Sequence, residues 1–282
     1  MDFRARRLIV QVLIAAVAAA TAGTLVAGPA VAKTHAVSAL LYNYEFAGTT
    51  GTVNNSAPTG PPVPLTLTGT WSAVTGGVHF SGDTSGHESV AYGKPTSGYT
   101  LNEPASAAVG FGALVRYNSP ASGQCFANTP NLTQIGRFAA NSTQAKIQLT
   151  SCATSTTQVM MECRFAGSNA APASDEVVST LALVNSAQYN VSCVKSPDLS
   201  GQTTVTLNVT RISTGQTVTT TATEPAMGAL QTKEYISAGN KYALPPPANN
   251  TSQFNGDMTR TVYCAGTTAA VSTCLAAHLP SS

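Results

Sequence analysis

The sequence predicts an all-β protein, folded as an antiparallel two-sheet sandwich. Three observations carry this. Over 187–221, Tyr189, Val191 and Cys193 share one face against Asn190 and Ser192. Val205, Leu207 and Val209 then oppose Thr204, Thr206, Asn208 and Thr210. A period of two marks a half-buried strand, because successive side chains leave a pleated backbone on opposite sides. The links between these runs, SPDLSG at 196–201 and STGQ at 213–216, carry the Pro, Asp and Gly that reverse a chain. The composition is also that of an extracellular β protein: 9% of residues are charged, where about 25% is ordinary.

The remaining elements follow in order. Residues 1–32 read as a secretory signal peptide, with Arg4, Arg6 and Arg7, an apolar run over 8–26 and an A-x-A site at 30–32. The competing reading is an uncleaved anchor. A short tail, 33–38, precedes a first strand at 39–46, and 47–64 is loop. Leu65 with Leu67, Trp71, and 78–80 are further strands, with a turn at Gly82-Asp83. The apolar run 107–117 reads as a central strand, followed by 134–138, 145–149 and 159–165. Residues 167–179 and 245–250 read as loops. The domain is expected to span 39–266, leaving 267–282 as a C-terminal tail with one short helix near 271–278.

The segment YNVSCVKSPDLSGQTTVTLNVTRISTGQTV resembles the LamG-like jelly roll of the concanavalin A-like lectin/glucanase superfamily, where a strand and a "D-G" turn lead into a "tvtLyvnG" strand. YISAGN at 235–240 is similar to its "l-x-I-G-N" strand, and FNGDM at 254–258 to its closing strand. Arg260 stands where many members carry a final Asp. The resemblance covers roughly 40–265. It implies a jelly-roll sandwich and a binding module for carbohydrate or a cell-surface partner. It also implies a rim calcium, a hard cation suited to carboxylates and carbonyls. Asp83 and Asp257, each after a Gly, are the candidate ligands, or simply turn residues. No other cofactor is implied.

Catalytic patterns are thin. Glycosidases need two carboxyls about 5–10 Å apart. The E-x-D-x-x-E pattern is absent, Glu162 is alone on its strand, and Asp175-Glu176 lies in a presumed loop. There is no G-x-S-x-G elbow. The polar stretch 82–88 reads as a hairpin loop. The expectation is a non-catalytic module, with a glycan-cleaving hydrolase and a ligand-free structural protein as alternatives. Lys146, Gln148 and Arg164, on outer faces of what read as adjacent strands, form the candidate ligand face. Trp71 and Tyr42, Tyr92, Tyr99, Tyr117 and Tyr242 are candidate sugar platforms, or core.

Signal cleavage removes three Arg and one Asp and leaves eleven basic and eleven acidic side chains. A neutral chain gives nucleic acid and anionic membranes no purchase. No second apolar span is present, so a secreted product without a membrane span is expected. Six cysteines after an export signal imply disulfides; metal binding is the alternative. In the LamG-like order the strands of Cys163 and Cys193 run consecutively, as antiparallel neighbours, which pairs these two. Cys264 and Cys274 are expected to close a local loop after the final strand. Cys125 and Cys152 remain, at the open ends of an expected hairpin.

Overall fold

The structure, a computed structural model, describes residues 39–82, 89–119, 129–136, 143–151, 158–169, 175–240 and 253–280. Residues 1–32, read above as a signal peptide, residues 33–38 and 245–250, and Asp83, Cys125, Cys152 and Tyr242 lie outside them.

The chain starts with β1 (Ala39–Glu45), β2 (Thr52–Val53), β3 (Leu65–Gly69), β4 (Trp71–Val74), β5 (Gly77–Phe80) and β6 (Ser89–Gly93). It continues through β7 (Leu101–Glu103), β8 (Ala108–Tyr117), β9 (Asn131–Gly136), β10 (Gln144–Leu149), β11 (Met161–Ala166) and β12 (Asp175–Val178). The meander supplies β13 (Gln188–Lys195), β14 (Gln202–Arg211) and β15 (Gln216–Pro225). Then come β16 (Leu230–Thr232), β17 (Ile236–Ala238), β18 (Gly256–Gly266) and helix α1 (Thr268–His278). All pairings are antiparallel. One sheet runs β15-β14-β13-β8-β18-β5-β4, with β1 also on β18. The second runs β12-β11-β10-β9-β17-β6-β3-β2, and β16 with β7 forms a small third sheet. The central strand expected at 107–117 is β8, between β13 and β18.

The core lies between the two large sheets, filled by alternate residues of each. Phe111 of the first meets Phe165 of the second edge to face at 5.2 Å, and Tyr263 stacks on Phe111. Aromatic edges prefer ring faces because of the ring quadrupole. The buried tyrosines keep partners for their hydroxyls: Tyr42 donates to Thr100 O, Tyr44 to Val63 O, and Tyr263 meets Thr133 Oγ1 at 2.7 Å. Tyr42 and Tyr117 are core, not sugar platforms.

Cys163 is bonded to Cys193, but not for the reason the strand order suggests. β11 pairs with β10 and β12, while β13 pairs with β8 and β14. The two cysteines sit in different sheets, and their inward side chains meet across the sandwich. Alternation put both on the core face; it did not say that the core lay between them.

The C-terminal tail belongs to the fold, so a boundary at 266 is too early. Cys264 lies within β18, and its disulfide to Cys274 clips α1 to the outer face of the first sheet. Val271, Leu275 and Leu279 pack there on Val262, Leu114 and Val194, a second small core. Gly110 and Gly112 make the room. A Cβ on Gly110 would lie 2.4 Å from Val271 Cγ1, and one on Gly112 would lie 2.3 Å from Leu279 Cδ1. Thr267 caps the helix, accepting from the Ala270 N–H.

Candidate polar face on the second sheet

The second sheet turns its other face away from the core. There the register aligns one row across all eight strands: Thr52, Thr66, Tyr92, Ser237, Gln134, Lys146, Arg164 and Glu176. Each is paired with the next. The period of two keeps every one on the same side. Beside this row, Asn131, Gln148 and Glu162 form a second, shorter one. The three residues expected to form a ligand face therefore share one face of adjacent strands, with Lys146 directly opposite Arg164. They are not simply solvated. Gln148 is 2% and Glu162 0% exposed, Lys146 and Arg164 are half-buried, and the row is open only at its ends, at Glu176 and at Thr52 and Thr66.

Glu176 reaches this face because Asp175–Val178 is a strand, contrary to the expected loop over 167–179. Its pairing on β11 also gives Glu162 a carboxyl neighbour that the sequence did not show. A hydrogen-bonded chain crosses the strands. Lys146 Nζ donates to Gln148 Oε1, and Gln148 Nε2 donates to Glu162 Oε1. Glu162 Oε2 has no hydrogen-bond partner, and the carboxyl of Glu176, on the adjoining strand, lies close enough to raise it. Burial first, then Glu176, push Glu162 up to about 8, against the opposing pull of Lys146 and Gln148. Glu162 therefore keeps its proton to higher pH than an ordinary carboxyl.

Three further atoms on this face are buried without a partner: the donor Arg164 Nε, the acceptor Asn131 Oδ1 and the Ser237 hydroxyl. Buried polar atoms are ordinarily satisfied, so three on one face call for an explanation. Gln134, by contrast, is occupied, accepting from Asn131 Nδ2 and donating to Gly136 O. Tyr92 and Tyr235 pack edge to face at 5.8 Å along the row, with Lys94 Nζ 4.8 Å above the Tyr235 ring. Of the other candidate platforms, Trp71 packs against the core and Tyr99 is exposed beneath Lys233 Nζ.

Asp257 lies on the other sheet and is engaged by two basic side chains. His79 Nδ1 is 2.7 Å from Oδ1, and Arg116 Nε is 3.5 Å from Oδ2. Two basic partners leave a poor seat for a calcium ion. Among the described residues no three of His, Cys, Asp and Glu cluster as metal ligands, and no helix is long and apolar enough to cross a membrane.

No protein-family model and no curated protein sequence matches the chain. Among solved structures, the chain is similar to the binding domain of botulinum neurotoxin serotype G, at 10% identity and a TM-score of 0.48, over 83% of this chain. It spans half the length of that domain. It is also similar to the basic winged bean lectin with Tn-antigen (10% identity, TM-score 0.43, 82% of this chain and 98% of that one). A third is the PL-14 alginate lyase from Aplysia kurodai (8% identity, TM-score 0.38, 81% and 99%). At these identities and scores, no residue role passes from them to this chain.

Proposed function

We propose that the protein is a secreted, LamG-like carbohydrate-binding module, and that the polar row of the second sheet is its sugar-contacting face. The observation that carries this is the accessible end of the row, where half-buried Lys146 and Arg164 adjoin the open Glu176 above buried polar atoms that lack a partner. A sugar hydroxyl both donates and accepts. The several hydroxyls of one sugar can serve a donor such as Arg164 and an acceptor such as Glu176 at once, which no purely anionic or purely apolar ligand does. The Tyr92–Tyr235 pair offers ring surface for the C–H face of a pyranose.

The reading is non-catalytic. A glycosidase holds its carboxyls about 5–10 Å apart, with the scissile bond or a water between them. Glu162 instead is fully buried, with no surface for a scissile bond to reach. Export is part of the proposal, with a mature N-terminus near Lys33, to be read by N-terminal sequencing of secreted protein.

A glycan array of neutral and acidic oligosaccharides, followed by calorimetry on the best hit, tests the reading. Arg164→Met is expected to weaken binding at least tenfold, with no reducing ends released by the wild type. Absence of any glycan binding, or binding indifferent to Arg164, overturns the proposed face. Release of reducing ends that Glu162→Gln abolishes overturns the non-catalytic part.

A further inference from the structure

Strand β15 is the last strand of the first sheet, and it is ten residues long. The other sheet margins are blunted. β4 and β12 have four residues and β2 has two. β1 is covered by the 55–61 segment, where Asn55 and Ser56 bond Leu41 and Asn43. Shortness and cover are the usual protections of a sheet edge, as are Lys, bulges and inward charges. β15 is long, uncovered by a described segment and free of Lys and bulges, and it carries one charge on its inner side, Glu224, near its end. Its register to β14 runs unbroken from Gln202↔Pro225 to Arg211↔Gln216. Its only charge is Glu224, and its only proline is the last residue. Among the described residues, its far side makes no backbone hydrogen bond.

From this we infer that β15 pairs with β15 of a second copy of this chain, antiparallel, about a two-fold axis through Thr220. Faces can match only if the two residue numbers in each pair have an even sum, since a one-residue slip swaps inside for outside. Centring on Thr220 sets Val218 opposite Ala222 on the inner side. Both already lean on the core and are only partly covered. Thr219 then faces Thr221, and Thr217 faces Thr223, on the outer side. This extends the threonine ladder that β15 already makes with β14, where Thr217 meets Thr210 and Thr221 meets Thr206. Glu224 falls opposite Gln216, a hydrogen-bonding partner, and away from its own copy. No pair in this register sets like charges together. A two-fold perpendicular to the sheet also keeps both second sheets on one side. β12 packs near β15, so the Glu176 ends of the two polar rows flank the seam and face the same way.

Sedimentation velocity of the full chain over about 1–100 µM tests this, with charge pairs as the probe. The wild type is expected at twice the monomer mass. The double variant Thr219→Lys/Thr221→Lys places lysine against lysine twice across the seam and is expected at the monomer mass. So is Thr219→Glu/Thr221→Glu, and an equimolar mixture of the two is expected to recover the dimer. All these side chains point to solvent, and thermal unfolding confirms that each variant is folded. A monomeric wild type at the highest concentration overturns the inference. So does a dimer that survives the lysine pair, or a mixture that stays monomeric.

Discussion

Lys195 and Glu162 are both fully buried. Lys195 closes β13 and Glu162 sits within β11. Around Lys195 every need is met. Its ammonium lies 2.9 Å from Asp198 Oδ1 and donates to the carbonyls of Ala105 and Ser196. Asp198 also accepts from Thr203 Oγ1 and the Gly228 N–H. Burial alone would raise Asp198. The bonds from Thr203, Lys195 and Gly228, with the Lys195 charge, hold it below its usual value. Around Glu162 the needs are met only by keeping a proton, and Arg164, Asn131 and Ser237 beside it each leave a polar atom unpaired. The first cluster pins the 196–201 turn to the strand. The second is polar beyond anything the fold requires of it. Lys195 and Asp198 satisfy one another within the fold, whereas the polar atoms beside Glu162 find no partner there.

Removing the counter-group should separate the two most sharply. Asp198→Ala strands the Lys195 charge and is expected to cost about 3–5 kcal/mol, read by urea unfolding. Glu162→Gln replaces one neutral group by another of similar shape and is expected to stay within about 1 kcal/mol of wild type. Equal losses would erase the distinction.

The Cys163–Cys193 bridge comes next. It ties β11, which bears Glu162, to β13, which bears Lys195. Replacing both cysteines with alanine is expected to lower stability by about 2–4 kcal/mol. Glycan binding should weaken with it, if the row depends on the position of β11.

The smallest effect is in pH, where the two clusters have opposite signs. Glu162 is raised in the folded state, so its contribution is complete below the unfolded carboxylate pKa and is lost as pH rises toward about 8. Between pH 6 and 7 the decline is at most about 1.4 kcal/mol. Asp198 is lowered, so its contribution is present above its unfolded pKa and is lost in acid as pH falls through the folded value. Glu162→Gln should flatten the neutral limb alone, and Asp198→Asn the acid limb alone, in unfolding curves taken from pH 3 to 8.

Much of this was legible in the residues. Alternation placed Lys146, Gln148 and Arg164 on one face and Cys163 and Cys193 on the core side, because side-chain direction in a strand is local. What escaped was non-local. β12 is four residues after a Pro- and Ser-containing stretch, too short for a period to show, and with it went the Glu162–Glu176 contact. The row from Thr52 to Glu176 is a property of seven registers at once. The seating of α1 did leave a signal, since Gly110 and Gly112 lie two apart in an otherwise bulky strand, on one face. The same alternation marks Glu162 as outward but says nothing of its burial, which depends on what lies over that face.

The claim that the second cluster serves binding and not folding is tested most directly by a paired measurement on Glu162→Gln. Urea unfolding gives its stability, and calorimetry gives its affinity for the oligosaccharide that binds the wild type best. The account predicts unfolding within about 1 kcal/mol of wild type with affinity down at least tenfold, because the amide fills the same space but cannot ionise, so the face no longer offers Lys146 and Arg164 a carboxyl whose charge adjusts when a sugar docks. A variant that loses several kcal/mol while binding the sugar unchanged would show the cluster to be structural and place the sugar site elsewhere.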